Sequence, residues 1–290
     1  MKYQFDIAVS IVAYKNDPEV INAAIRSCLD TELEVRVLVI DNSPTDSLKE
    51  HLPEDTRVNY TFNQRNVGFG KAHNQAILQF AGTSKYFLAL NPDVYFDNNV
   101  LATLFGYLER HPGVGVISPK VCYPDGKLQT SRRLLPSPAD LLIRRLPFGS
   151  TVFGKRTRVN EYVGCDADAV VEVPFLLGCF LLFRTSVLEH TGLFDARYFM
   201  YLEDVDICRR ISRHAAVVYH GQTQIFHYYQ RASSKELRLL LIHTASLVKY
   251  FNKWGWLRDS EREEINSQAI ILAKLQGEPD NQQRIQHAKV

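Results

Sequence analysis

Short apolar runs alternate with amphipathic stretches through the first 120 residues, and each run stops at polar side chains. Residues 7–12, 35–40, 58–62, 86–90 and 114–117 read as buried strands. Asp17-Pro18 opens the first helix, with Pro in its first turn and Val20, Ile21, Ala24, Ile25, Cys28 and Leu29 on its inner face. Two more helices are expected over residues 71–80 and 98–110. Strands alternating with helices define βαβ units, so the chain is expected to be α/β, with a mostly parallel sheet flanked by helices. In such sheets ligands gather beyond the carboxyl ends of the strands. Here those ends carry Ala13, Tyr14 and Lys15, then Asp41 and Asn42, then Asn91 and Asp93.

The loops restrict the ligand. The loop after the first strand, Ala13-Tyr14-Lys15-Asn16-Asp17-Pro18, has no glycine, which excludes a dinucleotide fingerprint there, and no Walker sequence is present. A nucleotide base fits near Tyr14 and Asp41, since a carboxylate at a strand end accepts an N–H from a pyrimidine ring; a turn or cap before Pro44 explains Asp41 equally well. Asn66-Val67-Gly68-Phe69-Gly70 opens a helix on glycine hinges. Its amides suit a phosphate, with Asn74 one turn further in; common glycine-before-helix chemistry and a solvated Asn74 are the plain alternatives. Asn91-Pro92-Asp93 leaves the sheet interior directly, and a carboxylate near phosphates suits Mg²⁺ or Mn²⁺. It is also good corner chemistry for a strand end.

The second half is less regular. Residues 122–168 are broken by Pro124, Gly126, Pro136, Pro138, Pro147, Gly149 and Gly154, a length of irregular chain that is usually functional. Arg132 and Arg133 suit an anionic acceptor or a solvated basic loop. Residues 141–146 have the mixture of a membrane-surface segment, or of a helix packed on the core. Core character returns over residues 171–183, with Gly178 allowing close approach, and one more strand is expected over 215–219. His227 among apolar residues reads first as a hydrogen-bonded structural histidine. Amphipathic helices over 237–251 and 260–275 follow, then a polar, fraying tail after Gly277.

The densest chemistry lies in Phe199-Met200-Tyr201-Leu202-Glu203-Asp204-Val205-Asp206, where acids follow aromatic and apolar residues. A carboxylate against apolar surface loses solvation and its pKa rises, as a general base near neutral pH requires. Val205, Ile207, Cys208 and Ile211 continue at helical spacing, so the acids open a helix, where the dipole favours them. Ordinary first-turn acids are the bland reading.

A net charge of +2 over 290 residues argues against a nucleic-acid partner, although basic residues cluster at 132–133, 144–145 and 155–158. Cys28, Cys122, Cys165, Cys179 and Cys208 are odd in number and unpaired at metal-finger spacing, which points to reduced thiols in a cytosolic protein. No apolar run is long enough to span a bilayer. The chain is therefore expected in the cytoplasm, with peripheral contact at the inner membrane face left open.

In order and spacing, these motifs resemble the inverting family 2 glycosyltransferases of GT-A fold, in particular their bacterial rhamnosyltransferase-like branch. The resemblance runs from about Phe5 to Trp256. It rests on Val9-Ser10-Ile11-Val12, Val39-Ile40-Asp41-Asn42-Ser43, Asn66-Val67-Gly68-Phe69-Gly70, Leu90-Asn91-Pro92-Asp93, Pro124-Asp125-Gly126-Lys127-Leu128-Gln129, Gly178-Cys179-Phe180-Leu181-Leu182, Phe194-Asp195, the acidic stretch and His227.

The resemblance implies a GT-A domain over residues 1–230, with a nucleotide-sugar half to 120 and an acceptor half beyond, and a helical extension over 231–290. It implies a donor site at Ala13, Tyr14, Asp41, Asn66, Gly68, Asn74, Asn91 and Asp93, and a Mg²⁺ or Mn²⁺ site at Asp93 and His227. Asp204 becomes the general base and Glu203 its neighbour in the acceptor site, with Arg132, Arg133 and Gly178 around the acceptor. Asn91 stands where the family's DxD-type motif has an acid, which removes a charge from the metal site. The implied reaction moves a sugar, best L-rhamnose from its deoxythymidine diphosphate, to a polysaccharide or lipid-diphosphate-linked glycan of an O-antigen or capsule kind. Two other readings compete: a sugar-nucleotide pyrophosphorylase, which would need a glycine-rich basic loop after the first strand, and a non-catalytic carbohydrate-binding or scaffolding subunit on the same fold.

Overall fold

A computed structural model describes residues 3–140, 159–162, 165–228 and 237–276. In chain order the strands are β1 (Phe5–Ala13), β2 (Val35–Asp41), β3 (Val58–Phe62), β4 (Ser84–Leu90), β5 (Val94–Tyr95), β6 (Val114–Cys122), β7 (Arg132–Arg133), β8 (Val170–Glu172), β9 (Phe175–Leu176), β10 (Phe180–Arg184) and β11 (Ala216–His227). The helices are α1 (Pro18–Leu29), α2 (Phe69–Gln79), α3 (Asn99–Arg110), α4 (Thr185–Thr191), α5 (Glu203–Ile211), α6 (Leu237–Trp254) and α7 (Ser260–Gln276).

Nine strands form one sheet, in the order β3-β2-β1-β4-β10-β6-β11-β5 with β8 added to β11. β3, β2, β1 and β4 pair in parallel, as do β6 and β11; β10 runs antiparallel between β4 and β6. The sheet is thus mixed and mostly parallel, as the strand-helix alternation requires. Successive residues of β1 face opposite sides. Ile7, Val9 and Ile11 meet the buried faces of α1 and α3, while Ala8 meets α2, α5 and α6 on the other side. The aspartate that announces α1 caps it: Asp17 Oδ1 accepts from Glu19 N at 2.9 Å.

Two strands run well past their expected ends. β6 continues through Pro119 to Cys122, and β11 through Gly221 to His227. Pro and Gly inside a strand read as its end because they weaken a ladder. Here they meet at one irregularity: Pro119 pairs with His220, and the register shifts between His220 and Gln224. A Cβ on Gly221 would lie 2.2 Å from the Ala167 carbonyl oxygen, so close backbone approach explains the glycine. The extension matters because it delivers His227 to the same sheet edge as Asp93, through the β11–β5 pairing of His227 with Val94.

The C-terminal helices share the core. Leu247, Tyr250, Phe251 and Ala269 pack in the same buried cluster as α2 and α5. Arg209 of α5, 1% exposed, is held by Asp259 at 2.8 and 2.5 Å and by Glu261 at 2.8 Å, with Trp254 over its guanidinium. Asp206, the third acid of the acidic stretch, is a buried anchor held by Lys253 at 2.6 Å, Trp254 Nε1 at 2.8 Å and Arg210 at 2.9 Å. Residues 141–146, the basic cluster at 155–158 and the tail after Gly277 lie outside the described residues. No described helix is long and apolar enough to cross a membrane.

Candidate active site

Glu203 and Asp204 open α5, after two residues in the left-handed region, Tyr201 (φ 71) and Leu202 (φ 68). Such backbone costs about 1–3 kcal/mol per residue and persists where surroundings impose it. It turns the chain so that both acids enter a cavity of about 320 Å³ also lined by Asn91, Arg133, Gly178 and His227. Asp204 is partly accessible there. Its Oδ1 accepts from Val205 N at 2.9 Å and its Oδ2 from Gly178 N at 3.0 Å. Glu203 is buried, and its Oε2 has no hydrogen-bond partner among the described residues.

The two carboxyls are therefore unlike. Burial raises the pKa of both. At Glu203 the adjoining Asp204 charge raises it further, so this carboxyl is the one that keeps its proton. At Asp204 burial still raises it, opposed in part by the amides of Val205 and Gly178 and by the charge of Arg133. An acid and a base pushed apart by their surroundings are the arrangement that proton transfer uses.

Gly178 acts on Asp204 directly. Besides its amide bond, a Cβ there would lie 3.2 Å from Asp204 Cβ, so the glycine leaves room for the carboxylate. Arg133 lines the cavity and pairs with Glu161 at 3.4 Å. Arg132 is placed differently from the expected acceptor contact. It is buried, stacks on Tyr219 at 4.3 Å, and donates to the Asp166 carbonyl at 2.7 Å. Its charge is spent inside the fold.

At the other end of the cavity, His227 Nε2 lies 3.2 Å from Asp93 Oδ1 and 3.4 Å from Asn91 Nδ2. Burial opposes a charge on this ring, but the Cys179 sulfur and the Asp93 carboxylate beside it outweigh burial and raise its pKa to about 10. A nitrogen and a carboxylate oxygen facing one point are suitable donors for Mn²⁺ or Mg²⁺. Among the described residues no three His, Cys, Asp or Glu side chains gather at one place, so the chain offers a cation two donors. That fits Mg²⁺-like ions, which keep waters and take remaining ligands from phosphates.

A neighbouring cavity of about 240 Å³ is lined by Tyr14, Asn42, Asn66, Gly68 and, from the first turn of α6, Arg238. Phe69 and Met200 line both cavities. The glycine loop has a packing reason. A Cβ on Gly68 (φ +95) would lie 2.5 Å from the Phe199 carbonyl, and Phe69 N donates to that oxygen at 2.8 Å. Gly68 N is taken by Asn66 Oδ1 at 2.9 Å. Those two amides, expected to face a phosphate, are thus committed internally. Asn74 also departs from its expected direction: both ends of its amide bond the Phe194 backbone, at 2.8 and 3.0 Å. Asp41 is fully buried, accepting from Ser43 N and Tyr60 Oη, each at 2.8 Å. The Ser43 bond is the turn contact weighed from sequence, and two bonds leave a carboxylate further acceptor sites. Ala13 is buried below the cavity, its carbonyl bonded to Asn42 N at 2.8 Å.

Sequence reading gave no role to Gln129, Asn42 or Arg238. Gln129 and Asn42 sit inside quoted motifs, so a signal existed; Arg238 lies far along the chain in an apolar helix and had none.

A mixed, mostly parallel α/β sheet flanked by helices, with two carboxyls in a cavity beyond its strand ends, is the architecture of a GT-A type glycosyltransferase. The chain belongs to glycosyl transferase family 2, whose family model matches residues 9–192. It is 28% identical to the N-acetylglucosaminyl-diphospho-decaprenol L-rhamnosyltransferase of Mycobacterium tuberculosis, over 93% of this chain and 92% of that one. It is 25% identical to the rhamnosyltransferase WbbL of Escherichia coli K12, over 80% and 88%. Among solved structures it resembles GalNAc-T7 with UDP, GalNAc and Mn²⁺ (TM-score 0.59, 15% identity, 78% of this chain and 44% of that one). It also resembles S. aureus TarS 1-349 (TM-score 0.51, 16% identity, 91% and 70%). These last two likenesses concern the fold.

Proposed function

We propose that this glycosyltransferase moves L-rhamnose, with inversion, from its deoxythymidine diphosphate to a lipid-diphosphate-linked glycan in cell-surface polysaccharide synthesis. The observation that carries the reading is the unequal pair in one cavity: Asp204, its Oδ2 held by Gly178 N, beside buried Glu203, whose pKa burial and the Asp204 charge both raise. Asp204 takes the proton of an acceptor hydroxyl as that oxygen attacks the anomeric carbon, and the nucleoside diphosphate leaves from the opposite face. One displacement needs no enzyme nucleophile. Glu203, still protonated, offers a hydrogen bond to the acceptor and leaves Asp204 the single charge of the pair.

The donor lies over Tyr14, Asn42 and Asn66, with Arg238 the charged side chain lining that cavity. Asp93 and His227 would hold a divalent cation, which when bound neutralises the leaving diphosphate. Arg133 and the apolar walls of the larger cavity suit an acceptor that is partly lipid-like. Leu237, Leu240 and Leu241, exposed at the start of α6 beside both cavities, fit peripheral contact with a cytoplasmic membrane face.

The test is calorimetric titration with the diphosphates of deoxythymidine, uridine and guanosine, each with and without Mn²⁺. Mn²⁺-dependent binding of a pyrimidine nucleotide, abolished in Asp93→Ala, is expected. Unchanged binding in that variant removes Asp93 from the site, and a preference for guanosine refutes the donor assignment.

A further inference from the structure

Gln129 follows the tight turn at Tyr123-Pro124-Asp125-Gly126 and has no part in the reaction as described above. It is 5% exposed. Its backbone is pinned, N donating to the Val121 carbonyl at 2.8 Å. Both ends of its side chain reach His227, and Nε2 also donates to the Cys122 carbonyl at 3.4 Å. Nε2 donates to the His227 carbonyl at 2.8 Å, and Oε1 faces His227 Nδ1 at 3.1 Å.

This pairing fixes more than a contact. The His227 carbonyl can only accept, so the amide –NH₂ of Gln129 must face it. Oε1 must then face Nδ1, and Oε1 can also only accept. Nδ1 therefore carries a proton, whatever the state of the other nitrogen. Nε2 is left as the atom turned to Asp93, 3.2 Å from Oδ1. Rotation of the ring by half a turn would break the Nδ1 bond in a buried site, where a lost hydrogen bond costs about 1–3 kcal/mol.

We infer that Gln129 is a positioning residue for the divalent-cation site, holding the His227 ring so that Nε2 meets Asp93 before the cation arrives. The inference rests on the cation site proposed above, and it assigns that site a residue that touches neither cation nor donor. Two protein donors are few, so the geometry of each weighs heavily. Buried polar groups of this kind, which orient a histidine ligand, typically change metal affinity 10- to 100-fold when removed.

The experiment measures Mn²⁺ affinity by electron paramagnetic resonance on the full chain, with uridine diphosphate as the probe nucleotide. Gln129→Met removes both hydrogen bonds at similar volume. It is expected to weaken Mn²⁺ binding by roughly 10- to 100-fold, while nucleotide binding without metal stays unchanged. Gln129→Glu keeps an acceptor for Nδ1–H and is expected to recover much of the loss, which a purely structural role would not produce. Gln129→Asn, which keeps the amide but falls short of the ring, makes the same test if the Met variant does not fold. His227→Ala sets the scale. Wild-type Mn²⁺ affinity in Gln129→Met, with affinity lost in His227→Ala, overturns the role of Gln129 and leaves the cation site standing. Wild-type affinity in His227→Ala overturns the site itself, and the inference with it.

Discussion

Replacing Glu203 by Gln should flatten the pH dependence of stability. Glu203 is buried, its Oε2 has no partner, and burial together with Asp204 raises its pKa well above the ordinary value. The folded chain therefore keeps a proton that the unfolded chain releases above about pH 4.3. Folded protein binding more protons than unfolded means that stability falls as pH rises. The contribution is whole below the unfolded pKa and is lost progressively up to the folded one. Within that window the slope reaches at most about 1.4 kcal/mol per pH unit. Gln has the same shape and no proton to lose, so the variant lacks this slope. Its –NH₂ meets the space where Oε2 has no partner, which costs about 1–3 kcal/mol at every pH. The variant should therefore start below the wild type at pH 5 and gain on it steadily. At roughly 2 °C per kcal/mol, the relative gain in melting temperature is at most about 3 °C per pH unit. Thermal unfolding followed by near-ultraviolet circular dichroism, without nucleotide or metal, reads it directly. Melting temperatures that run parallel from pH 5 to 7 would refute a neutral Glu203 and, with it, the division of labour between the two acids.

Three further outcomes are expected. Asp204→Asn keeps one of the two amide contacts through its side-chain oxygen, sets its –NH₂ against the other backbone N–H, and cannot take a proton. Turnover should fall by roughly a hundredfold or more with sugar-nucleotide binding nearly intact, the scale of general-base catalysis; near-normal turnover in a coupled nucleotide-release assay removes Asp204 as base. Asp259→Ala strips the closest partner from Arg209, 1% exposed, and should cost about 3 kcal/mol in urea unfolding. Glu261→Ala, a third exposed, should cost under about 1 kcal/mol, and equal costs would show that burial does not set the strength of these pairs.

Local pattern was enough to read the sheet and its helices, because strand and helix periods depend on neighbours in sequence. It failed where a strand's continuation depends on contacts from elsewhere. Pro119 and Gly221 argue for chain breaks when read alone. They are tolerated because both lie at one register shift, Pro119 opposite His220 and Gly221 next along the strand, with the Ala167 backbone packed against the glycine. The same limit governs the site. Acids after aromatic residues were legible at Glu203 and Asp204, since desolvation leaves a trace in composition. The fate of Arg132 was not: an arginine bound for an anion and one bound for Tyr219 have the same sequence neighbours. Asn74 likewise reads as a solvated or ligand-facing helix residue until Phe194, 120 positions away, is brought against it.

The two cavities share Phe69 and Met200, and that wall links the reading of the donor to that of the acceptor. Phe69 is fixed by its amide bond to the Phe199 carbonyl, and Gly68 has no Cβ because that carbonyl occupies the space. The segment from Phe199 to Leu202 then continues into Glu203 through two left-handed residues. One run of backbone thus lines both cavities and leads into the two acids. A glycine that looks like a phosphate-binding hinge is instead the point where the 66–70 loop grips the turn that leads into Glu203 and Asp204. It follows that damage at Gly68 should appear first in the placement of Glu203 and Asp204, and only through them in turnover, although the glycine lies on the nucleotide side.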